Sequence, residues 1–156
     1  MLPGLYKAIY PESSFQSDKI DIISCGGLSY KQYLEIAKHT KHKVAVLTDN
    51  DAKLENITGM SAYNAENERS HIFMSEDAGE KGWTWEANIY FLNRTLIDGL
   101  VTLQKGAQYL FHEKDYGPCL GKILNNKVET AYQLLPKVGE LQCPKHVKDA
   151  FEWIRN

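Results

Sequence analysis

Residues 44–51 read Val44-Ala45-Val46-Leu47-Thr48-Asp49-Asn50-Asp51. Four apolar residues that run directly into two acids are typical of a buried parallel strand ending at the carboxyl edge of a sheet, where open α/β folds hold their sites. Side chains two residues apart on an extended chain share a face. If the extension continues past Thr48, Asp49 and Asp51 point the same way and need a cation such as Mg²⁺ to stay ionised together. The alternative is a polar turn, which these residue types also favour.

Length and composition set the class of protein. The chain has 156 residues, of which 43% are hydrophobic and 24% charged, as expected for one globular domain with its own core. It contains neither an apolar run of membrane length nor a signal segment, so no membrane association is predicted. The cysteines Cys25, Cys119 and Cys143 are odd in number and widely spaced, which favours a reducing cytoplasm over a disulfide framework or a structural zinc site.

The distribution of charge is more informative than its sum. A net charge of −2 excludes a strongly basic nucleic-acid binder. Acids outnumber bases between residues 49 and 86, whereas lysines are frequent before residue 44 and after residue 104. An acidic centre with basic flanks suits metal ions that meet a phosphate backbone held from the sides. An ordinary mixed surface produces the same clustering, so both interpretations stay open.

Hydrophobic periodicity predicts an α/β fold. We expect a helix over 1–10, a strand over 19–24, a helix over 30–40 capped by Ser29, and a strand over 43–48. The last three of these elements form a βαβ unit with parallel strands. A short helix and a loop follow, then a strand over 71–74, a helix over 87–92 and helices over 119–135 and from Pro144 onwards. The prediction is a single domain over 1–156, with an α/β core over about 1–100 and C-terminal helices over 101–156.

Three further features carry candidate chemistry. Gly26-Gly27 lies at a predicted strand-to-helix turn, where it either brings backbone amides toward a phosphate or forms a tight turn without a ligand. Glu86 follows the third predicted strand, on the same sheet edge as the Asp pair, and is a candidate third carboxylate. Lys127 lies among apolar residues of a predicted helix, where a lysine is ordinarily a surface residue with a buried stem.

Several of these segments together resemble the TOPRIM domain of the OLD (overcoming lysogenization defect) family of nucleases. The resemblance covers nearly the whole chain in the same order. Its motifs are Ile20-Asp21-Ile22-Ile23-Ser24-Cys25-Gly26-Gly27, the helix from Tyr30, Ala45 to Asp51, Thr84-Trp85-Glu86, the segment 126–131, and the segment 144–154.

The resemblance implies a Rossmann-like, mostly parallel sheet and a divalent-metal nuclease that cuts DNA, joined to an N-terminal ABC-type ATPase region in cis or as a separate chain, and often acting in phage defence. Position by position, Asp49 and Asp51 match the metal-binding acidic pair, Glu86 a later metal-binding glutamate, and Lys127 a lysine near the cleaved phosphate. Two Mg²⁺ or Mn²⁺ ions would then activate water and stabilise the leaving oxygen, while the lysine offsets transition-state charge.

One part of the family pattern has no counterpart here. The family's domain begins with a strand and a Val-Glu-Gly glutamate, and neither these nor an ATPase region occur in this sequence. We therefore expect a fragment or one product of a split gene that binds metal weakly and cleaves DNA poorly by itself. The missing strand belongs beside residues 19–24, so an unpaired edge and self-association into a homo-oligomer are also expected.

Two other functions compete with the nuclease. One is a non-catalytic module that keeps the fold as a binding or assembly partner. The other is a haloacid-dehalogenase-like phosphatase, because an apolar strand followed by Asp-x-Asp is also typical of that family. Against the phosphatase, Lys53 stands where that family has Thr or Val, and the acidic strand follows a complete predicted strand and helix instead of coming first.

Overall fold

The computed structural model describes residues 1–26 and 30–156, and it confirms a mixed α/β fold with a parallel strand pair, consistent with a Rossmann-like TOPRIM domain. The elements of the first part are α1 (Leu2–Ile9), α2 (Tyr30–His39), β1 (Val44–Leu47), α3 (Leu54–Glu66) and β2 (Ser70–Phe73). Those of the second part are α4 (Trp85–Leu92), α5 (Arg94–Leu100), β3 (Leu110–Phe111), β4 (Lys114–Asp115), α6 (Pro118–Asn125), α7 (Lys127–Leu134), a 3-10 turn (Leu135–Glu140) and α8 (Lys145–Arg155).

A parallel strand pair lies at the centre of the N-terminal half. β1 and β2 pair in register from Val44 opposite Ser70 to Leu47 opposite Phe73, and α3 makes the crossover between them. One face packs on α2 and α3 through Val46 and Ile72, while Trp153 of α8 stacks on the other face. Parallel strands need such cover on both faces. The carboxyl end of β1, and with it Asp49, is thereby held at a buried sheet edge.

The predicted strand over residues 19–24 is wrong. Within residues 1–26 and 30–156 this segment has no strand partner, and Ile22 and Ile23 are 51% and 58% exposed. β-Branched residues favour an extended chain, but a strand forms only when a neighbour satisfies its backbone groups. The βαβ unit is therefore β1-α3-β2, one strand later than predicted. Ser29 and Gly27 lie outside the described residues.

The C-terminal part contains more than the predicted helices. A short antiparallel hairpin, β3-β4, precedes α6, and the predicted helix over 119–135 ends at Asn125 and restarts at Lys127. Asn125 donates its amide to Leu110 O, and Asn126 has a non-helical backbone with φ −133° and ψ 51°. Asparagine side chains compete in this way with helical hydrogen bonding. Lys127, at the start of the second helix, contacts Glu86 in the first turn of α4.

The main hydrophobic core joins α1 to the C-terminal helices. Leu5 of α1, Ile97 of α5, Leu120 of α6 and Val147 of α8 are fully buried in one cluster. Apolar burial of this kind stabilises by about 25 cal/mol per Å² removed from water. No helix of the described residues is long and apolar enough to cross a membrane.

Candidate functional site

Asp49 lies at the point where β1 meets the start of α4. Its Oδ1 accepts a 2.7 Å hydrogen bond from the backbone N–H of Trp85, and its Oδ2 accepts one of 2.9 Å from the hydroxyl of Thr84. The first amides of a helix have no partner within the helix, and the N-terminus attracts negative charge. Asp49 therefore caps α4 from a distant part of the chain, which fixes its carboxylate in place.

Glu86 and Lys127 extend this contact. The Thr84 hydroxyl also lies 2.7 Å from Glu86 Oε2, and Lys127 Nζ lies 3.0 Å from Glu86 Oε1. The Glu86 side chain is only 15% exposed, whereas that of Lys127 is 50% exposed. The structure thus joins Asp49, Thr84, Glu86 and Lys127 in one row that runs from the sheet edge to solvent. The sequence predicted Glu86 just past a strand. In the structure it stands instead in the first turn of α4.

Two carboxylates compete for the hydroxyl of Thr84. Thr84 is 4% exposed and has a single hydroxyl hydrogen, which cannot point at Asp49 and Glu86 at once. Burial is the main cause that raises the pKa of Asp49, and the nearby Glu86 charge acts in the same direction, while the bonds from Trp85 and Thr84 oppose the shift. One lysine balances two carboxylates. A bound cation would relieve this excess of negative charge.

Asp51 stands apart from the row. Asp51 and Ala52 have positive φ values of 55° and 59°, so the chain is no longer extended at Asp51 and the condition for a shared face of Asp49 and Asp51 is not met. Asp51 is exposed, and its backbone N–H donates to Trp83 O at 3.2 Å. Aspartate tolerates this left-handed conformation better than most residues. In the part of the chain that the structure describes, no three Asp, Glu, His or Cys side chains form a ready metal cluster.

A cleft of about 510 Å³ adjoins Asp49. Its walls are mostly apolar and include Ile22, Leu47 and the rings of Trp85 and His146. Burial lowers the pKa of His146 to about 4, so its imidazole is neutral at neutral pH. Asp49 therefore borders an apolar surface, where electrostatic interactions are stronger than in bulk solvent.

Two residues that sequence analysis did not assign prove central to the geometry. Thr84 links the two carboxylates, and Asn50 is fully buried beneath the loop that leads to them. The sequence gives only one indication that Asn50 is important, namely that a polar amide lies between two acidic residues. Gly26, which was a candidate phosphate turn, has φ 49° and nothing within 4 Å of an added Cβ, so only its backbone conformation favours glycine there.

The mixed α/β fold places Asp49 at the carboxyl end of a parallel strand, where open α/β sheets hold their ligands. A model of the family described as overcoming lysogenization defect protein-like, TOPRIM domain, matches residues 1–51. The resemblance is thus confirmed for the part of the chain that runs from α1 to Asp51. Searches among curated proteins and among solved structures returned no match.

The matched range contains Asp49 and Asp51, while Glu86 and Lys127 lie beyond it. The match supports a domain of nuclease or primase type, from a family that generally binds divalent metals. The geometry adds that Glu86 and Lys127 are neighbours of Asp49 in space, which the match by itself does not address.

Proposed function

We propose that this chain is a nuclease-type TOPRIM domain that uses Mg²⁺ or Mn²⁺ to cut DNA phosphodiesters. The observation that carries the proposal is the row Asp49, Thr84, Glu86 and Lys127, which the fold assembles from three separate parts of the chain at the carboxyl end of β1. Carboxylates can hold the metal ions of a phosphoryl reaction, and a nearby lysine can stabilise the negative charge that develops in it. An ordinary capped helix would need only Asp49.

The donor chemistry fits a hard divalent cation. Asp49 and Glu86 offer carboxylate oxygens that converge on one hydroxyl, and Mg²⁺ is commonly held by one or two carboxylates with the rest of its shell filled by water. Asp51 is a further carboxylate in the exposed loop that follows Asp49, and we propose that it serves the second ion of a two-metal site when DNA and metal are bound. When bound, the cation supplies Lewis acidity toward a phosphate oxygen and an activated water.

Each residue of the row then has a definite role in the proposed reaction. Thr84 and the Trp85 amide keep Asp49 oriented, because together they engage both of its oxygens. Glu86 holds Lys127 close to the acids, and the half-exposed ammonium of Lys127 is open to an incoming phosphate. A lysine in that place stabilises the additional negative charge of the transition state. DNA is the proposed substrate because the family resemblance points to it.

The wider assignment also rests on the resemblance. We propose a cytoplasmic protein that acts with an ABC-type ATPase region, in cis or as a separate chain, and that takes part in phage defence. The chain's modest net charge of −2 fits a domain that meets DNA through a partner's surface as well as its own.

Plasmid nicking and metal-induced stabilisation test the proposal. We expect Mn²⁺ or Mg²⁺ to raise the thermal midpoint of the chain, since a ligand that binds only the native state stabilises it. Asp49→Asn should lose this gain, whereas Glu68→Gln, at an exposed acid outside the site, should keep it. Nicking should follow the same pattern once the partner region is added. An equal metal gain in both variants would contradict the proposed site, and hydrolysis of a small phosphate ester would instead indicate the phosphatase.

A non-catalytic binding module is the second candidate function. The observation that favours it is the pair Ile22 and Ile23, both more than half exposed, of which Ile22 lines the apolar cleft. Exposed apolar side chains next to a cleft are typical of surfaces that bind another protein. A chain that co-sediments with a partner but gains no stability from metal would support this function over the nuclease.

A further inference from the structure

Asn50 makes more hydrogen bonds than an ordinary turn residue. It is 0% exposed, and its side-chain amide lies 2.9 Å from the carbonyl oxygens of Ser75 and Asp77 and 3.2 Å from that of Gly82. Its side-chain oxygen accepts the N–H of Ala52 at 2.9 Å. A buried amide satisfied on both its donor and its acceptor side is rigid, because any rotation leaves polar groups unpaired.

These bonds join two loops that the sheet alone would leave independent. Asn50 belongs to the loop after β1, whereas residues 75–82 form the loop after β2 that leads into α4. A second link runs from the Asp51 N–H to Trp83 O. The fit around the amide is tight, since a Cβ on Gly82 would lie 2.2 Å from Asp77 O. Asn50 therefore holds the loop that leads into α4 in place relative to the end of β1.

We propose that Asn50 is a positioning residue for the candidate site. By fixing residues 75–82, it sets where Thr84, the Trp85 amide and Glu86 meet Asp49, and it never touches a metal or substrate itself. The part of this inference that concerns metal binding rests on the proposed function. The part that concerns assembly of the row rests on the hydrogen bonds alone.

The chemistry of the position requires asparagine. Aspartate has nearly the same shape but no N–H to donate, and its charge would lie buried against three carbonyl oxygens. Asn93 offers a matched control within the same chain. It is 7% exposed, donates to Ile89 O and Gln142 O at 3.0 Å, and accepts the Gln142 N–H, but it lies at the other end of α4 from Asp49.

The test compares Asn50→Asp with Asn93→Asp by amide hydrogen exchange and by Mn²⁺-induced thermal stabilisation. Both variants should lower the thermal midpoint, because each leaves buried carbonyls without donors. Only Asn50→Asp should speed exchange at the Trp85 amide, by about tenfold or more relative to the amides of α8, and only it should lose most of the Mn²⁺ gain. Asn50→Ser, which keeps one donor, serves if Asn50→Asp does not fold.

The two readouts separate this inference from the proposed function. Unchanged relative protection of Trp85 in both Asn50 variants, or an equal loss of it in Asn93→Asp, would overturn the positioning role. A wild-type chain without any Mn²⁺ gain would contradict the proposed function, while the exchange data would still decide whether Asn50 assembles the row.

Discussion

The backbone N–H of Trp85 donates to Oδ1 of Asp49 at 2.7 Å, although 36 residues separate the two positions. This bond gives the carboxylate two tasks, because the residue that begins the candidate site also satisfies the first free amide of α4. The geometry of the site is therefore tied to the stability of the fold. Substitutions at Asp49 are best chosen so that the two tasks are separated.

Asp49→Asn and Asp49→Ala should affect the metal-free chain in opposite directions at neutral pH. Asparagine keeps an acceptor for the Trp85 amide and removes a half-buried charge, so we expect a thermal midpoint equal to or a few degrees above that of the wild type. Alanine leaves the amide without a partner and should cost about 1 kcal/mol, as the loss of a helix cap does. Thermal unfolding measures the midpoint and urea unfolding the free energy, both at neutral pH and without metal. A lower stability for Asp49→Asn would contradict the charge excess that we infer.

Asp51→Asn should leave the metal-free chain almost unchanged, because Asp51 is exposed and its left-handed backbone suits asparagine equally well. If Asp51 binds a cation, the variant should nevertheless lose much of the thermal gain from Mn²⁺. Differential scanning fluorimetry with and without Mn²⁺ gives both quantities. Glu68→Gln is again the control, and an undiminished gain in Asp51→Asn would remove Asp51 from the site.

Two titratable groups, His146 and Asp49, should make the stability of the fold change with pH in opposite directions. Burial lowers the pKa of His146 from 6.5 to about 4, so its neutral form is favoured in the folded state; this contribution is complete above pH 6.5 and is lost as pH falls toward 4. Burial raises the pKa of Asp49, so its contribution is complete below the unfolded value of 3.8 and is lost as pH rises through the folded pKa.

The variant His146→Leu isolates the first of these effects. It should flatten the fall in the free energy of unfolding between pH 6.5 and 4, whereas the exposed-histidine variant His42→Leu should retain the wild-type slope. Urea titrations across this range measure the slope. Identical slopes in His146→Leu and the wild type would show that the imidazole is protonated without cost in the folded chain.

Lys127→Ala should separate metal binding from catalysis. Removing the ammonium frees Glu86 Oε1 and leaves the acidic row more negative, so we expect Mn²⁺ to bind at least as tightly as in the wild type. Cleavage, measured with the proposed partner region supplied, should nevertheless fall by about 100-fold or more, since the transition-state charge loses its cation. Lys148→Ala, at an exposed lysine of α8, is the control. Wild-type cleavage by Lys127→Ala would leave it an ordinary surface lysine.

The exposed pair Ile22 and Ile23 should make the isolated chain self-associate at high concentration. Ile22→Lys should shift sedimentation toward the monomer, because it places a charge on the wall of the apolar cleft. Leu54→Lys replaces a residue that is 71% exposed on α3 and should have little effect. Equal sedimentation of wild type and Ile22→Lys across the concentration range would contradict a contact at this surface.

The parts of this protein that sequence determines by itself are local. Helices α1, α2 and α8 and strands β1 and β2 lie close to their predicted positions, because each carries its own hydrophobic period and its own boundary residues. Asp49 at the end of β1 follows from the same local pattern. The family resemblance, confirmed over residues 1–51, belongs here too, since a motif is read along the chain.

Tertiary structure decided everything that depends on a distant partner. Residues 19–24 have the composition of a strand but no strand neighbour among residues 1–26 and 30–156, so they pair with none. The chain leaves its extended path at Asp51, where the loop is held by the Trp83 carbonyl and by the buried amide of Asn50. The meeting of Asp49 with Thr84 and Glu86 likewise spans more than 30 residues. Such contacts depend on how two loops pack, a property that no single segment encodes.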